Sequence, residues 1–360
     1  MTPAGAILAE EIARKGPVSF HRFMEVALYH PEHGYYQRTD RERWGREGDY
    51  RTSPERSQLF ASTFARYFAR LYEELERPAQ WTIVECGAGD GSFGRGLLQT
   101  LADQFPATFA ATKYVVCEVS QDALRRVRER LVEFGDRVQF SGDLVPADIY
   151  FSNELLDAFP VHRVVKYAQG LSELYVGVDS TGAFVWTTGP LSTPRLAEFC
   201  DAYSVELVQG QIIEINLGID DWLARVSAEL ANGFVITVDY GSEALELYDS
   251  ARRPKGTLRA FSRHSFVDDV LVQPGEYDIT SSVNWTQVRT VGEKLGLKVV
   301  DFTSQDKFLL QAGLLDELEQ QQSGAATEAE KASLTTGARE MILPGGMASS
   351  FQVLVQRKDV

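Results

Sequence analysis

Glycine and acidic residues are concentrated where apolar runs of this 360-residue sequence give way to helical patterns. The first such segment is 84–91, VECGAGDG. Its glycines allow a tight turn close to a ligand, and the following helix begins with free N–H groups. Gly89, Gly91 and Gly94 also fit a dinucleotide fingerprint, which alone is weak evidence. A carboxylate at Glu85 would repel a pyrophosphate, so the segment favours a ligand with an ammonium group or sugar hydroxyls.

Two further acids follow the next apolar runs. Glu118, in VVCEVS, can accept hydrogen bonds from both hydroxyls of a ribose, and Asp143, in SGDL, can accept one from an adenine amino group. Glu118 could instead be an acid favoured by a helix N-terminus, and Asp143 a turn residue. Three acids at consecutive strand ends favour a cationic nucleoside without phosphates. S-adenosyl-L-methionine meets that description.

A fourth polar segment, SNELLDAFP at 152–160, follows the next apolar run. Asn153, Glu154 and Asp157 would lie beside the sulfonium methyl group, so they are the candidate catalytic residues. Glu154 is the first choice for contacting the methyl acceptor and Asp157 the second, although Asp157 could simply cap a helix. Asp49 and Asp239 could assist from neighbouring loops.

These four segments require parallel strands to bring them together. The runs WTIVEC, KYVVCEV, RVQFSGD and ADIYFSN alternate with helical stretches, which indicates βαβ units and a parallel sheet. In such a sheet, ligands bind at the carboxyl ends of the strands. We therefore predict an α/β fold with a Rossmann-like sheet.

The pattern divides the chain into three parts. Residues 1–75 are predicted to form a helical N-terminal extension, residues 76–160 and 216–360 the catalytic domain, and residues 161–215 an inserted antiparallel β subdomain. Residues 256–285 are rich in loop-forming residues, KFLLQAGLLDELEQ is predicted as a helix, and QQSGAATEAEKAS as an exposed linker or the start of a polar helix.

Composition excludes several classes of protein. A net charge of −15 and a pI near 4.9 argue against non-specific nucleic-acid binding. No apolar run reaches the length of a membrane span. The three cysteines have no metal-ligand spacing, so we expect no metal and a reducing compartment. The N-terminus is predicted to be an amphipathic helix rather than a targeting peptide, which favours a cytoplasmic location.

The sequence resembles the MidA family (DUF185) of S-adenosyl-L-methionine-dependent methyltransferases. VECGAGDGSFGRGLL and FSNELLDAFPVHRVV carry the resemblance, and GPVSFHRFMEVALYHPEHGYY, GDYRTSPERSQLF, VITVDYG, GTLRAFSRH and PGEYDITSSVNW extend it along nearly the whole chain. The family often has proline and a basic residue where this chain has Ala88 and Asp90. The GxGxG core is retained, which implies that cofactor binding is retained as well.

The resemblance implies a class I methyltransferase-like fold and a set of site residues. The cofactor contacts would be Glu85, Gly87, Gly89, Gly91, Glu118, Val119, Asp143, Leu144 and Asn153. The loop GDYRTSPE would lie over the cofactor and the acceptor channel, with Gly48, Asp49, Tyr50, Thr52 and Ser53 as its substrate-loop residues. The same loop could instead be a tight turn that begins the next helix.

The resemblance also implies a reaction and partners. The mitochondrial member of the family is a complex I assembly factor that methylates an arginine of a complex I core subunit. The expected function is therefore methylation of arginine nitrogen in a protein substrate, with a homodimer of the enzyme as an open alternative to a monomer. Composition adds no nucleic-acid partner and no membrane span to this expectation. A bacterial protein of this family would be cytoplasmic, and a processed eukaryotic one would lie in the mitochondrial matrix.

Three alternatives are open at this stage. The same scaffold could methylate oxygen or nitrogen of a small molecule, with the N-terminal helices and the β insertion covering a compact pocket. It could also be an assembly chaperone that holds the cofactor without turnover. A nicotinamide-dependent oxidoreductase is disfavoured by Glu85 and by the spacing to Glu118, 27 residues beyond Gly91.

Overall fold

A computed structural model describes residues 1–39, 58–203, 205–262, 265–343 and 350–359. In chain order, the strands are β1 (Val18–Ser19), β2 (Trp81–Cys86), β3 (Thr112–Cys117), β4 (Val138–Ser141), β5 (Ile149–Asn153), β6 (His162–Tyr167), β7 (Gly170–Val178), β8 (Phe184–Gly189), β9 (Ile212–Ile215), β10 (Gly233–Ser242), β11 (Arg259–Ser262), β12 (Ser265–Phe266), β13 (Asp278–Thr280), β14 (Val283–Asn284), β15 (Lys298–Ser304) and β16 (Phe351–Lys358).

The α-helices of the described residues surround these strands. In chain order, they are α1 (Pro3–Lys15), α2 (Phe20–Tyr29), α3 (Gln58–Glu74), α4 (Ser92–Gln104), α5 (Pro106–Ala111), α6 (Gln121–Arg130), α7 (Arg195–Ala202), α8 (Gly218–Glu229), α9 (Ala244–Leu247), α10 (Trp285–Lys294), α11 (Gln305–Ala312), α12 (Leu314–Gly324) and α13 (Glu328–Ile342). Among the residues described, no helix has the length and apolar composition that a membrane crossing requires.

The central sheet has the strand order β4-β3-β2-β5-β10-β16-β15, with β14 also paired to β10. The pairs β2–β3, β2–β5, β3–β4 and β5–β10 are parallel. Strand β16 is antiparallel to both of its neighbours. The predicted α/β fold is confirmed, but the sheet is mixed: it is parallel from β4 to β10 and antiparallel at β16 and β15. The carboxyl ends of β2, β3 and β5 consequently meet at one edge, where the acidic segments begin.

Both faces of this sheet are covered by helices, which explains why its strands read as continuous apolar runs. All six residues of β2 are buried. On one face, α3 and α4 pack an aromatic cluster that includes Phe64, Phe93 and Phe151, and the rings of Phe93 and Phe151 stack at 4.1 Å between centroids. On the other face, α8 and α10 supply Trp222 and Trp285. The sheet is therefore a rigid platform for the residues at its edge.

A second, antiparallel sheet has the order β1-β7-β6-β9, with β8 paired to β7. Strands β6 to β9 come from the segment 162–215, which also contains α7. The N-terminal segment joins this sheet directly, because Val18 pairs with Val176. The helical extension and the insertion thus share a hydrophobic cluster beside the carboxyl edge of the central sheet.

Two local predictions differ from the structure. The stretch predicted as one helix, KFLLQAGLLDELEQ, is divided into α11 and α12 by Gly313, whose φ of +106° ends the first helix. The loop-rich stretch 256–285 contains a three-stranded sheet of β11, β12 and β13. The segment predicted as a linker or the start of a polar helix, 321–333, spans the end of α12 and the start of α13, which Thr327 and Glu330 begin with a capping box.

Candidate functional site

The glycine turn after β2 has the backbone shape that its sequence predicts. Gly87, Gly89 and Gly91 have φ values of +72°, +56° and +81°, which residues with side chains rarely adopt. The N–H of Gly87 donates to the carbonyl of Cys117 at 2.9 Å, which joins the turn to β3. A Cβ atom at Gly87 would lie 3.0 Å from Cδ1 of Leu155. The turn therefore needs glycine both for its conformation and for its space.

Glu118 connects the ends of β2 and β3. Its Oε1 accepts the N–H groups of Val119 and Ser120 at 2.8 Å each, and its Oε2 accepts the N–H of Gly89 at 3.4 Å. Only 9% of the residue is exposed. Such hydrogen bonds hold the carboxylate in one orientation at the edge of the sheet.

A cavity of about 320 Å³ lies against these groups, within the size range of small-molecule sites. Its lining includes six of the predicted site residues: Gly87, Gly89, Glu118, Val119, Leu144 and Glu154. Its other lining residues are Tyr29, Tyr36, Cys86, Cys117, Ser120, Ala123, Gly142, Leu155, Ala158, Phe159, Trp222 and Arg225. The predicted residues Glu85, Gly91, Asp143, Asn153 and Asp157 lie outside this lining.

Glu85 lies behind the glycine turn, where only 4% of it is exposed. Its carboxyl group accepts a 2.5 Å hydrogen bond from the hydroxyl of Tyr114. Burial raises the pKa of Glu85 to about 8. Its predicted contact with the cofactor stays a prediction, and the contact that the structure describes is the one to Tyr114.

Asp143 lies at the rim of the site. Its side chain is 81% exposed and forms an ion pair with Arg225 of α8. Arg225 lines the cavity, as do Gly142 and Leu144 on either side of Asp143. An adenine amino group at this end would therefore meet a carboxylate that already has a cationic partner.

Gly91, the remaining member of the glycine set, is the N-cap of α4.

The end of β5 carries a backbone conformation that is unusual for its residue type. Glu154 has a φ of +53°, and its N–H donates to the carbonyl of Val238 at 2.9 Å. The amide of Asn153 donates to Oε1 of Glu154 at 3.1 Å. Conformations of this kind cost free energy and are found often at functional sites. Glu154 is thereby held against the cavity, as its predicted role requires.

Asp157 is buried next to a second acid, Asp239, at the end of β10. Oδ2 of Asp239 accepts the N–H groups of Leu156 and Asp157 at 3.0 and 3.3 Å, and Oδ1 accepts that of Tyr240 at 2.8 Å. Burial raises the pKa of Asp157 to about 6, although a hydrogen bond from Tyr240 opposes that shift. Burial, followed by the charge of Asp157, raises the pKa of Asp239 well above its usual range. Asp239 thus holds the backbone that follows Glu154.

Several lining residues come from segments that the sequence analysis did not assign to the site. Tyr29 donates to the carbonyl of Ala158 at 2.9 Å, and Tyr36 to Oδ1 of Asp278 at 2.5 Å. The rings of Tyr29 and Tyr36 lie 5.4 Å apart. The local sequence around them, YHPEHGYYQ at 29–37, is rich in aromatic residues but does not indicate a cavity. The N-terminal segment nevertheless forms a wall of the cavity.

The predicted substrate loop lies outside the described residues. This applies to Gly48, Asp49, Tyr50, Thr52 and Ser53, whose role stays a prediction. Among the described residues, no group of His, Cys, Asp and Glu side chains is arranged to hold a metal ion.

The site fits an adenosyl ligand. Gly87 lines the cavity without a side chain, and a fixed carboxylate at Glu118 faces the cavity from the next strand. Leu144, Phe159 and Trp222 supply apolar surface to the cavity. A carboxylate next to a ribose and an apolar slot for its base are the arrangement expected of open α/β sheets.

Comparisons with known proteins agree with this chemistry. A family model for S-adenosyl-L-methionine-dependent methyltransferases, Methyltransf_28, matches residues 63–303. The protein arginine methyltransferase NDUFAF7, mitochondrial, of Mus musculus is 26% identical over 323 residues, covering 81% of this chain and 70% of that protein. The Homo sapiens protein of the same name is 26% identical over 326 residues, covering 81% and 69%.

Solved structures extend the match to nearly the whole chain. A COG1565 superfamily member from Burkholderia thailandensis, bound to S-adenosyl-homocysteine, superposes with a TM-score of 0.88 at 31% identity, covering 99% of this chain and 92% of that chain. A native structure of a COG1565 superfamily protein from the same organism gives a TM-score of 0.85 at 30% identity, covering 99% and 91%. The chain belongs to the MidA-like family of S-adenosyl-L-methionine-dependent methyltransferases.

Proposed function

We propose that this enzyme transfers a methyl group from S-adenosyl-L-methionine to a guanidinium nitrogen of a protein arginine. One observation carries the proposal: Glu154 is held in a left-handed conformation against the cofactor cavity, with Asp157 and Asp239 buried beside it. The names of the mouse and human relatives, both protein arginine methyltransferases, support the same acceptor.

The cofactor would be held by residues at three strand ends. Glu118 would accept the ribose hydroxyls, the turn from Gly87 to Gly91 would pass close to the ligand's amino-acid portion, and Val119 and Leu144 would contact the base. Glu85, Asp143 and Asn153 complete the proposed set of contacts. The cofactor supplies a methyl group on a sulfonium, whose leaving group is a neutral thioether.

The chain's own part in the reaction is to position the acceptor nitrogen. A guanidinium is charged at neutral pH, and a carboxylate can bind two of its N–H groups at once. Glu154 would hold the guanidinium in this way and direct the third nitrogen at the methyl carbon. Most of the rate enhancement would come from this alignment, because the leaving group needs no acid.

Asn153 and Asp157 have supporting roles in this proposal. The amide of Asn153 already donates to Glu154, so it restricts the rotation of that carboxylate. Oδ1 of Asp157 is buried with no hydrogen-bond partner among the described residues. Because Asp157 lies outside the cavity lining, its proposed role is to support Glu154 from behind rather than to contact the guanidinium.

The proposal is tested by incubating the protein with labelled S-adenosyl-L-methionine and host lysate, followed by mass spectrometry of the labelled band. We expect label on arginine of a protein, with a complex I-type subunit as the first partner to examine. The Glu154→Gln variant, which keeps the size of the side chain, is the matched control and should give no labelled band. Label confined to small molecules would favour the alternative function, methylation of oxygen or nitrogen of a small molecule. Cofactor binding without any transfer would favour the assembly chaperone.

A further inference from the structure

Two free cysteines lie side by side on the floor of the cofactor cavity. Cys86 ends β2, Cys117 ends β3, and the two residues are direct partners in the parallel pairing of these strands. Both line the cavity, Cys86 being buried and Cys117 half-buried. Neighbouring strands are about 4.8 Å apart, which lies inside the range of Cα separations that a disulfide can span.

We propose that Cys86 and Cys117 are a redox-sensitive pair, which a peroxide oxidant converts to a disulfide and a bound cofactor protects. The proposal concerns the cofactor site alone. It is therefore independent of which molecule accepts the methyl group.

The contact between the two thiols makes them unequal. Interaction with the neighbouring thiol of Cys86 lowers the pKa of Cys117, although burial opposes this shift. The same contact raises the pKa of Cys86, and burial adds to that rise. Cys117 is therefore the thiol that is deprotonated first, and it is also the more accessible one.

The chemistry proceeds in two balanced steps. The Cys117 thiolate attacks one oxygen of hydrogen peroxide, the O–O bond breaks, and a sulfenic acid and hydroxide form. The sulfur of Cys86 then displaces hydroxide from the sulfenic acid to form the disulfide, and the protons lost by Cys86 and Cys117 convert the two hydroxides to water. Overall, two thiols are oxidised, one peroxide is reduced, and two waters are released.

A disulfide here would disturb the cofactor site. Its Cβ atoms must come to about 3.8 Å, which is closer than the strand spacing, so the ends of β2 and β3 would be drawn together. Gly87 and Glu118 are the residues that directly follow these two ends, and Gly87 is already hydrogen bonded to the Cys117 carbonyl. The bond should therefore lower the affinity for the cofactor and be easily reduced.

The third cysteine provides an internal control. Cys200 is buried on α7, away from the cavity lining, and burial raises its pKa to about 11. It should remain a thiol under conditions that oxidise the pair. The Cys200→Ser variant should consequently behave like the wild type in every measurement below.

The test treats the full chain with hydrogen peroxide and follows it by intact-mass and peptide mass spectrometry, with and without saturating S-adenosylhomocysteine. We expect the intact mass to fall by two hydrogens and the Cys86 and Cys117 peptides to be joined, while Cys200 stays reduced. The rate of this oxidation should be at least five-fold lower with ligand. Calorimetry should show S-adenosylhomocysteine affinity at least ten-fold lower in the oxidised protein and restored by dithiothreitol.

Other results would overturn the proposal. They are the absence of a Cys86–Cys117 bridge, equal oxidation of Cys200, equal rates with and without ligand, or unchanged affinity after bridging. The Cys86→Ser variant should stop at a sulfenic acid on Cys117 that dimedone traps, whereas a bridge to Cys200 in that variant would contradict the pairing. The wild-type masses decide the question even if this variant folds poorly.

Discussion

The hydroxyl of Tyr114 donates a 2.5 Å hydrogen bond to the carboxyl group of Glu85, inside the protein and behind the glycine turn. Burial raises the pKa of Glu85 from about 4.5 to about 8. In the unfolded chain this group ionises near pH 4.5, whereas in the folded protein it keeps its proton until about pH 8. Unfolding between these values releases a proton, so stability falls as the pH rises through that window.

We therefore expect Glu85→Gln, which cannot ionise, to lose less stability than the wild type between pH 5.5 and pH 8. The melting temperature of the wild type, measured by scanning calorimetry, should fall relative to that of the variant by at least about 3 °C across this range. Parallel curves for the two proteins would show that Glu85 is already ionised at pH 5.5.

Replacing Glu154 by glutamine should separate binding from turnover. The variant keeps the shape of the side chain but loses the charge that would hold a guanidinium, so turnover should fall by at least about 100-fold. The affinity for S-adenosylhomocysteine, measured by calorimetry, should change less than three-fold. Full methyl transfer by this variant would reject Glu154 as the acceptor-binding residue.

Asp239 should act through the backbone that follows Glu154. In Asp239→Asn, an NH₂ group replaces one carboxylate oxygen and cannot accept a hydrogen bond from a backbone N–H. The variant therefore loses either the hydrogen bond from Tyr240 or the two from Leu156 and Asp157. We expect the free energy of unfolding, from urea titration, to fall by about 1–3 kcal/mol, and turnover to fall by about ten-fold.

Asp179 offers a matched control, because it also accepts the N–H groups of Thr181 and Ala183 but is exposed. Asp179→Asn should leave turnover unchanged and cost less stability, since its amide oxygen can still accept both N–H groups and the side chain is exposed to water. In the Glu154→Gln background, Asp239→Asn should lower turnover by less than two-fold further. If the losses of turnover from the two single variants multiply in the double variant, Asp239 does not work through Glu154.

The glycine turn can be tested at Gly87, which lines the cavity. Gly87→Ala adds a Cβ that strains a φ of +72° and approaches Leu155, so S-adenosylhomocysteine should bind at least ten-fold more weakly. Gly135 has a φ of +54°, has no atom within 4 Å of the position that a Cβ would take, and lies outside the cavity lining. Gly135→Ala should therefore destabilise the fold without weakening the binding of the ligand. An equal loss of affinity in both variants would contradict a local effect.

The sequence predicts those parts of the site that are local to one strand and its turn. Gly87, Gly89 and Glu118 each follow directly from a strand end, and parallel pairing brings them together. Burial and partners are less predictable, because they depend on distant segments. Nothing in the local pattern around Glu85 indicates Tyr114 as its partner, and nothing around Asp143 indicates Arg225.

The N-terminal wall of the cavity illustrates the same limit. Tyr29 and Tyr36 reach the site through contacts with Ala158 and Asp278, more than 120 residues away. No hydrophobic period or turn signal encodes such a contact. The division of one predicted helix at Gly313 could have been read from the sequence. A glycine inside a helical pattern is a recognised stop signal, but the prediction of a single helix gave more weight to the apolar periodicity.

The position of β16 sets an order of events during synthesis. This strand lies between β10 and β15, yet it follows both of them in the chain. When β15 leaves the ribosome it has no partner in the sheet, and β10 has one edge open. Both edges remain exposed to wrong pairing with other chains until residues 351–358 are made. A translation stop shortly before Phe351 would therefore yield an aggregation-prone chain even though every residue of the cofactor site had already been synthesised.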